Sequence, residues 1–208
     1  MNYKCILPVF LFSGTVVFSQ ATSQTIVPNE NLITENIPAI PKSLSEKIKK
    51  YSESRGANFT TIHPNGKELI MVTRFASTNQ LHKLSQPMGA RKQLTFFDEP
   101  VNSADYEPLK GEYLVYSKDI GGNEFGQLFK LDLKTMESKL LTDGGRSQNG
   151  GVTWKKDGSG FYFSSTKRNG GDRDIYFMNP LKPEDVKLVL ELKGGGWGIN
   201  DISDDGKS

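Results

Sequence analysis

Trp154-Lys155-Lys156-Asp157-Gly158-Ser159-Gly160-Phe161-Tyr162-Phe163-Ser164-Ser165 decides how the rest of the chain is read. A Trp closes one apolar segment, Asp157-Gly158 makes a tight turn, and an aromatic run follows. Gly tolerates positive φ and Asp bonds the turn backbone, so this is a hairpin signal between two short strands. A third strand follows at Asp174-Ile175-Tyr176-Phe177-Met178 and a fourth at Val186-Lys187-Leu188-Val189-Leu190. The pattern predicts strands at about 151–154, 161–165, 174–179 and 186–192.

The same landmarks recur upstream. Asn65-Gly66, Lys110-Gly111, Asp157-Gly158 and Asp205-Gly206 place turn glycines 45, 47 and 48 residues apart. Gln80-Leu81, Gln127-Leu128 and Asp174-Ile175 stand 47 apart, as do Lys92-Gln93-Leu94-Thr95 and Lys139-Leu140-Leu141-Thr142. Three landmarks holding one period define an internal repeat. Four short β-rich strands per repeat of about 47 residues describe a propeller blade. Helical repeats of similar length need 3.6-residue periodicity over longer runs.

The fold class is therefore all-β, a partial β-propeller. Blades are expected at about 57–95, 105–142 and 150–192, with the start of a fourth at 197–208. Together they make one domain over 42–208. Three blades and a stub are too few to close a ring, so the 208 residues are expected to be a truncated sequence. Trp154 and Trp197, in successive units, are expected in blade-to-blade packing. Ser43-Leu44-Ser45-Glu46 reads as a capping box opening a short helix with Leu44, Ile48 and Tyr51 on one face. Residues 22–41, with Pro28, Pro38 and Pro41, read as an extended lead.

Residues 1–21 form a separate segment. Lys4, an apolar run from Cys5 to Phe18 and the small-residue exit Ser19-Gln20-Ala21 match a secretory signal, and the run is too short for a membrane span. The only cysteine, Cys5, lies inside it, so the mature chain has no disulfide. Export without disulfides fits a bacterial periplasm or the outside medium. The balance of 26 basic and 24 acidic residues carries no footprint for nucleic acid, and no membrane association is expected once the signal is cleaved.

No constellation carries bond-breaking chemistry. No Ser has Gly at both −2 and +2, so there is no nucleophile elbow. His63 and His82 read as structural. Gly121-Gly122-Asn123-Glu124-Phe125-Gly126 and Gly194-Gly195-Gly196-Trp197-Gly198 lead into strands, not helices, so neither is a phosphate loop. Asp201, Asp204 and Asp205 lack the ligand alternation of a calcium loop. No cofactor and no metal are expected. The connections around Arg146 and around Arg168, Asp172 and Arg173 are the candidate contact residues for substrate or partner, because propellers place binding groups in such connections.

The third unit, from Trp154 to Ser165 and on through Arg168-Asn169-Gly170-Gly171-Asp172-Arg173-Asp174-Ile175-Tyr176, resembles TolB-like, WD-type propeller repeats. It also resembles the N-terminal propeller of the prolyl oligopeptidase family of serine peptidases. Leu44 to Tyr51, then Arg55-Gly56-Ala57-Asn58-Phe59 and Pro64-Asn65-Gly66, resemble that family's helix entering its first blade. The resemblance covers about residues 40–208. It implies an exported oligopeptide-hydrolysing peptidase whose propeller gates access to an α/β-hydrolase domain. The triad residues then lie after Ser208 and none is in this chain. Dipeptidyl members hold the substrate amine with paired Glu residues; no Glu-Glu pair occurs here, and Asp98-Glu99 reads as a loop. The other reading is a non-catalytic TolB-like propeller that binds protein or envelope partners.

Overall fold

A computed structural model describes residues 24–27 and 32–203. The signal segment 1–21 lies outside the described residues. Two compact units divide at Ser54 and Arg55.

In the first unit Thr25 and Pro41 form an isolated antiparallel bridge, and the Ile26 N–H donates to the Ile40 carbonyl at 2.9 Å. Helix α1 runs Lys42–Ser52. The expected capping box does not form. Pro41 is the N-cap, with no side-chain cap bond, and the helix starts before Ser43. Proline presets φ near −65°, here −62°, so the chain enters the helix without a hydroxyl acceptor. Lys49 and Lys50 lie in the last turn, where cations complement the helix dipole.

The second unit holds three four-stranded antiparallel sheets, each in simple meander order. Blade 1 contains β1 (Ala57–Ile62), β2 (Leu69–Thr73), β3 (Gln80–Leu84) and β4 (Lys92–Gln93). Blade 2 contains β5 (Val101–Tyr106), β6 (Tyr113–Lys118), β7 (Gln127–Asp132) and β8 (Ser138–Leu140). Blade 3 contains β9 (Asn149–Trp154), β10 (Phe161–Ser165), β11 (Asp174–Asn179) and β12 (Lys182–Leu190). This is the partial propeller that the repeat predicts. Blade 3 departs in detail: its outer strand starts at Lys182 and continues through two register shifts against β11.

Alternation puts each strand's odd and even residues on opposite faces, and both faces are used. Ile70, Val72, Leu81 and Leu94 of blade 1 pack on Val101, Tyr106, Leu114 and Tyr116 of blade 2. One unit on, Val115, Leu128 and Leu141 pack on Phe161, Phe163, Tyr176 and Met178. These side chains are nearly all under 7% exposed, each burial contributing roughly 1.5–3 kcal/mol. The central blade is thus covered on both sides by its neighbours.

Trp154 lies in the second of these interfaces, edge-on to Phe161 at 5.2 Å. Trp197 is 52% exposed and its Nε1–H donates to the Lys193 carbonyl at 3.1 Å. Residues 197–203 form no strand, yet the Thr153 hydroxyl donates to the Ile199 carbonyl at 3.2 Å. That contact has a counterpart two interfaces earlier, where the Tyr106 N–H donates to the Thr61 hydroxyl.

Candidate functional site

Antiparallel order sends two classes of connection to the same end of every blade. These are the second-to-third strand connections (74–79, 119–126, 166–173) and the segments leaving each outer strand (94–100, 141–148, 191 onward). All four predicted contact residues belong to them.

One residue per blade organises this end. Gln80, Gln127 and Asp174 open the third strands, each at most 5% exposed. The Gln80 amide donates to the carbonyls of Phe97 and Glu99 at 2.9 and 3.1 Å, and its Oε1 accepts the Phe97 N–H. Gln127 donates to the carbonyls of Gly145 and Ser147 at 3.3 and 2.9 Å and accepts from the Thr142 hydroxyl and the Gly144 N–H. In blade 3 the clip is an acid: Asp174 Oδ1 accepts the Leu192 N–H at 2.9 Å. Every clip thus holds the segment by which the chain leaves its blade.

An acid in a buried clip needs a countercharge, since an unpaired buried carboxylate is costly. Arg168 supplies it. Its Nε lies 2.7 Å from Asp174 Oδ2 and its Nη2 3.1 Å from Oδ1, a two-pronged pairing. The same guanidinium reaches Asp172 at 3.1 Å, Glu191 at 3.3 Å and the Leu192 carbonyl at 3.0 Å. Arg168 holds the carboxyl of Asp174 below its ordinary range. Asp172 is lowered first by the Gly194 N–H it accepts at 2.7 Å and next by Asn169.

The four predicted residues therefore do not converge. Arg168 and Asp172 share one ion cluster. Arg173 turns to the Ser164 hydroxyl at 3.2 Å. Arg146 lies on the next connection, its guanidinium 4.8 Å from the Phe125 ring centroid. Arg146 is exposed and, among the described residues, has no carboxylate partner.

Glu99, read from the sequence as part of a loop, pairs with Lys118, a residue the sequence does not single out. The Lys118 ammonium sits 4.9 Å from the Phe97 ring and 5.3 Å from the Phe129 ring, and 3.2 Å from Glu99. Glu99 also accepts the Gly121 N–H at 2.7 Å, the main reason its carboxyl lies below the ordinary range. A clue was available in Asp98-Glu99 and the aromatics at 97 and 129, but not the contact between them. Both histidines are built into packing. His82 is fully buried, its Nδ1–H donates to the Gln80 carbonyl, and burial holds its pKa below the ordinary value. No step of acyl transfer can be assembled from these groups.

No family model and no curated protein matches the sequence. Solved structures do. TolB from Acinetobacter baumannii superposes with a TM-score of 0.57 at 22% identity, over 74% of this chain and 36% of its own. Oligogalacturonate lyase from Vibrio parahaemolyticus gives 0.54 at 16%, over 71% of this chain and 43% of its own. A structure from a study of two prolyl endopeptidases, concerned with inter-domain dynamics in catalysis and specificity, gives 0.59 at 16%. That match takes in 80% of this chain and 27% of the other. The chain thus spans well under half of each, and the likeness establishes the propeller fold. Among the described residues no helix is long and apolar enough to cross a membrane.

Proposed function

We propose that this chain is the propeller segment of an exported serine peptidase acting on oligopeptides, in which the propeller gates entry to an α/β-hydrolase domain. The observation that carries this reading is the reach of the prolyl endopeptidase superposition. It takes in 80% of the chain, against 74% for the Acinetobacter TolB. It agrees with the sequence resemblance around α1 and the entry to blade 1. The propeller does no bond cleavage on this reading. It filters by size and by the loop end of its blades, where Arg146 and Lys167 are exposed cations. The signal pattern of residues 1–21 supports export.

The test begins with the gene. An in-frame Gly-x-Ser-x-Gly followed by Asp and His downstream of codon 208 supports the reading. The complete gene product should then label with a fluorophosphonate probe. A reading frame that ends after about six blades without such a segment, or a folded full-length product that does not label, overturns it.

A non-catalytic TolB-like propeller binding protein or envelope partners is the second reading. The identity of 22% to the Acinetobacter TolB, against 16% to the prolyl endopeptidase, favours it. The same downstream reading frame separates the two.

A further inference from the structure

An asparagine followed by glycine can lose its side-chain amide without an enzyme. Glycine carries no side chain, so its nitrogen approaches the asparagine Cγ unhindered. Three such pairs occur: Asn65-Gly66, Asn149-Gly150 and Asn169-Gly170. The reaction requires the asparagine side chain and the glycine N–H to leave their hydrogen bonds together. The fold sets a different cost for that release at each pair.

Asn149 is 7% exposed and opens β9. Its Nδ2 donates to the Gly126 carbonyl at 3.1 Å and to the Ser147 hydroxyl at 3.0 Å, and its Oδ1 accepts the Ser165 hydroxyl at 2.6 Å. Freeing it means opening the blade, which costs close to global unfolding. Asn169 is exposed but tied at both side-chain atoms. Its Oδ1 accepts the N–H groups of Gly171 and Asp172 at 3.1 and 2.9 Å, and its Nδ2 donates to Asp172 Oδ2 at 2.8 Å. The Gly170 N–H donates to the Thr166 carbonyl at 2.7 Å. Asn65, exposed in the turn between β1 and β2, has one side-chain bond, from the Lys67 N–H to Oδ1 at 2.9 Å. Its Nδ2 makes no hydrogen bond among the described residues. The Gly66 N–H donates to the His63 carbonyl at 2.8 Å.

We propose that Asn65 is a site of spontaneous covalent modification, and that the product loosens the joint between blades 1 and 2. The Gly66 nitrogen, on losing its proton, attacks Cγ of Asn65 and forms a C–N bond. The tetrahedral adduct expels Nδ2, which takes up a proton and leaves as ammonia, and a five-membered imide remains. Water then adds to either imide carbonyl. One opening leaves an aspartyl residue at position 65. The other leaves an isoaspartyl residue, whose main chain runs through the side-chain carbon. Amide and water become acid and ammonia, with no oxidant or reductant.

The isoaspartyl form adds a carbon to a turn that His63 organises. There the Asn65 N–H donates to His63 Nδ1 at 3.1 Å, and the His63 N–H donates to the Glu68 carbonyl at 2.8 Å. The same imidazole stands edge-on to the Tyr106 ring of blade 2, centroids 4.9 Å apart. Lengthening the turn withdraws the N–H that orients this ring. A slow, irreversible change at one exposed turn thereby reaches a blade interface. The chemistry is intramolecular and depends on neither functional reading.

Peptide mapping by mass spectrometry on the purified protein, aged at pH 8, tests it. Trypsin releases the three pairs on separate peptides, 56–67, 147–155 and 169–173. Peptide 56–67 should convert first, with isoaspartate in excess of aspartate. Peptide 169–173 should convert at least about tenfold more slowly, because two further side-chain hydrogen bonds must break. Peptide 147–155 should stay unconverted while the protein is folded. In concentrated urea all three should convert at similar rates. Gly66→Ala, which obstructs the attack, should suppress conversion at position 65. The isoaspartyl form, separated by ion exchange, should unfold at a lower urea midpoint than fresh protein, and that shift should shrink in a His63→Ala background. Conversion at 149 or 169 before 65 in the folded protein, the same order persisting in urea, aspartate without isoaspartate, an undiminished rate in Gly66→Ala, an unshifted midpoint, or a shift that His63→Ala leaves intact overturns the proposal.

Discussion

The imidazole of His63 lies against the turn at Gly111, so closely that a Cβ on that glycine would stand 2.6 Å from Cδ2 of the ring. The relationship repeats one blade on, where Leu109 meets Gly158 and the corresponding Cβ would stand 2.7 Å from Cγ. Each first-strand turn thus seats a side chain from the turn before it. Both glycines also hold positive φ, +67° in each case. Gly66, the first of the series, has φ of +72° but nothing within 4 Å of its would-be Cβ.

That contrast separates strain from contact. Gly66→Ala should cost about 1 kcal/mol, the penalty for a left-handed non-glycine residue. Gly111→Ala should cost roughly 2–4 kcal/mol, because overlap with His63 adds to the same strain. In a His63→Ala background the added cost should shrink back toward about 1 kcal/mol. Urea unfolding of the unaltered protein, the three single variants and the double variant checks it. Equal losses for Gly66→Ala and Gly111→Ala would show that the His63 contact carries no energy.

Gln127 has both its donor and its acceptor engaged on the segment 142–149. Gln127→Ala should lower stability by about 2–4 kcal/mol, since it strands several buried polar groups at once. It should also raise amide exchange selectively at Gly144. Uniform exchange with no local effect at 142–149 would contradict the clip.

Asp105 faces the interface of blades 2 and 3, paired across the strand with Val115. Burial alone pushes its carboxyl up to about 6. An acid whose folded pKa is raised binds its proton more tightly when folded. It therefore weakens the fold above pH 6, and that loss is recovered as the pH falls from about 6 toward 4. Asp105→Asn should raise stability at pH 8 by about 1–2 kcal/mol and leave it nearly unchanged at pH 4.5. Thermal melts at the two pH values decide it; a gain of equal size at both would mean the charge is not the cause.

The Arg168 cluster has the opposite sign. Asp172 and Asp174 are held below their ordinary range, so the stability they contribute is present above about pH 4 and lost as pH falls through their folded values. Arg168→Ala should destabilise at pH 7 far more than Arg146→Ala, because it leaves the buried Asp174 without a countercharge. The difference between the two variants should narrow by pH 3. Melting temperatures across that range test both halves of the statement.

The propeller was legible because its signals are local. Asp157-Gly158 and its counterparts announce turns, and the aromatic and β-branched runs after them announce strands; the period of 47 then does the rest. The clips were visible as a landmark at Gln80, Gln127 and Asp174, but nothing in a sequence says that an amide at a strand start reaches a loop more than a dozen residues on. The same blindness covered Arg168. Read alone, an Arg in a Gly-rich connection suggests a ligand contact; only the packing shows the buried Asp174 it neutralises. At α1 the pattern Ser-x-x-Glu pointed to a cap, but Pro41 set the entry first.

Because the residue that fastens each outgoing segment sits in the blade being left, a tandem copy of one 47-residue stretch would arrive with its own fastener. Lengthening or shortening the array by whole modules then requires no redesign of the joints. The places where two modules meet tolerate rearrangement in register, while a cut displaced by half a period would part a clip from its strap.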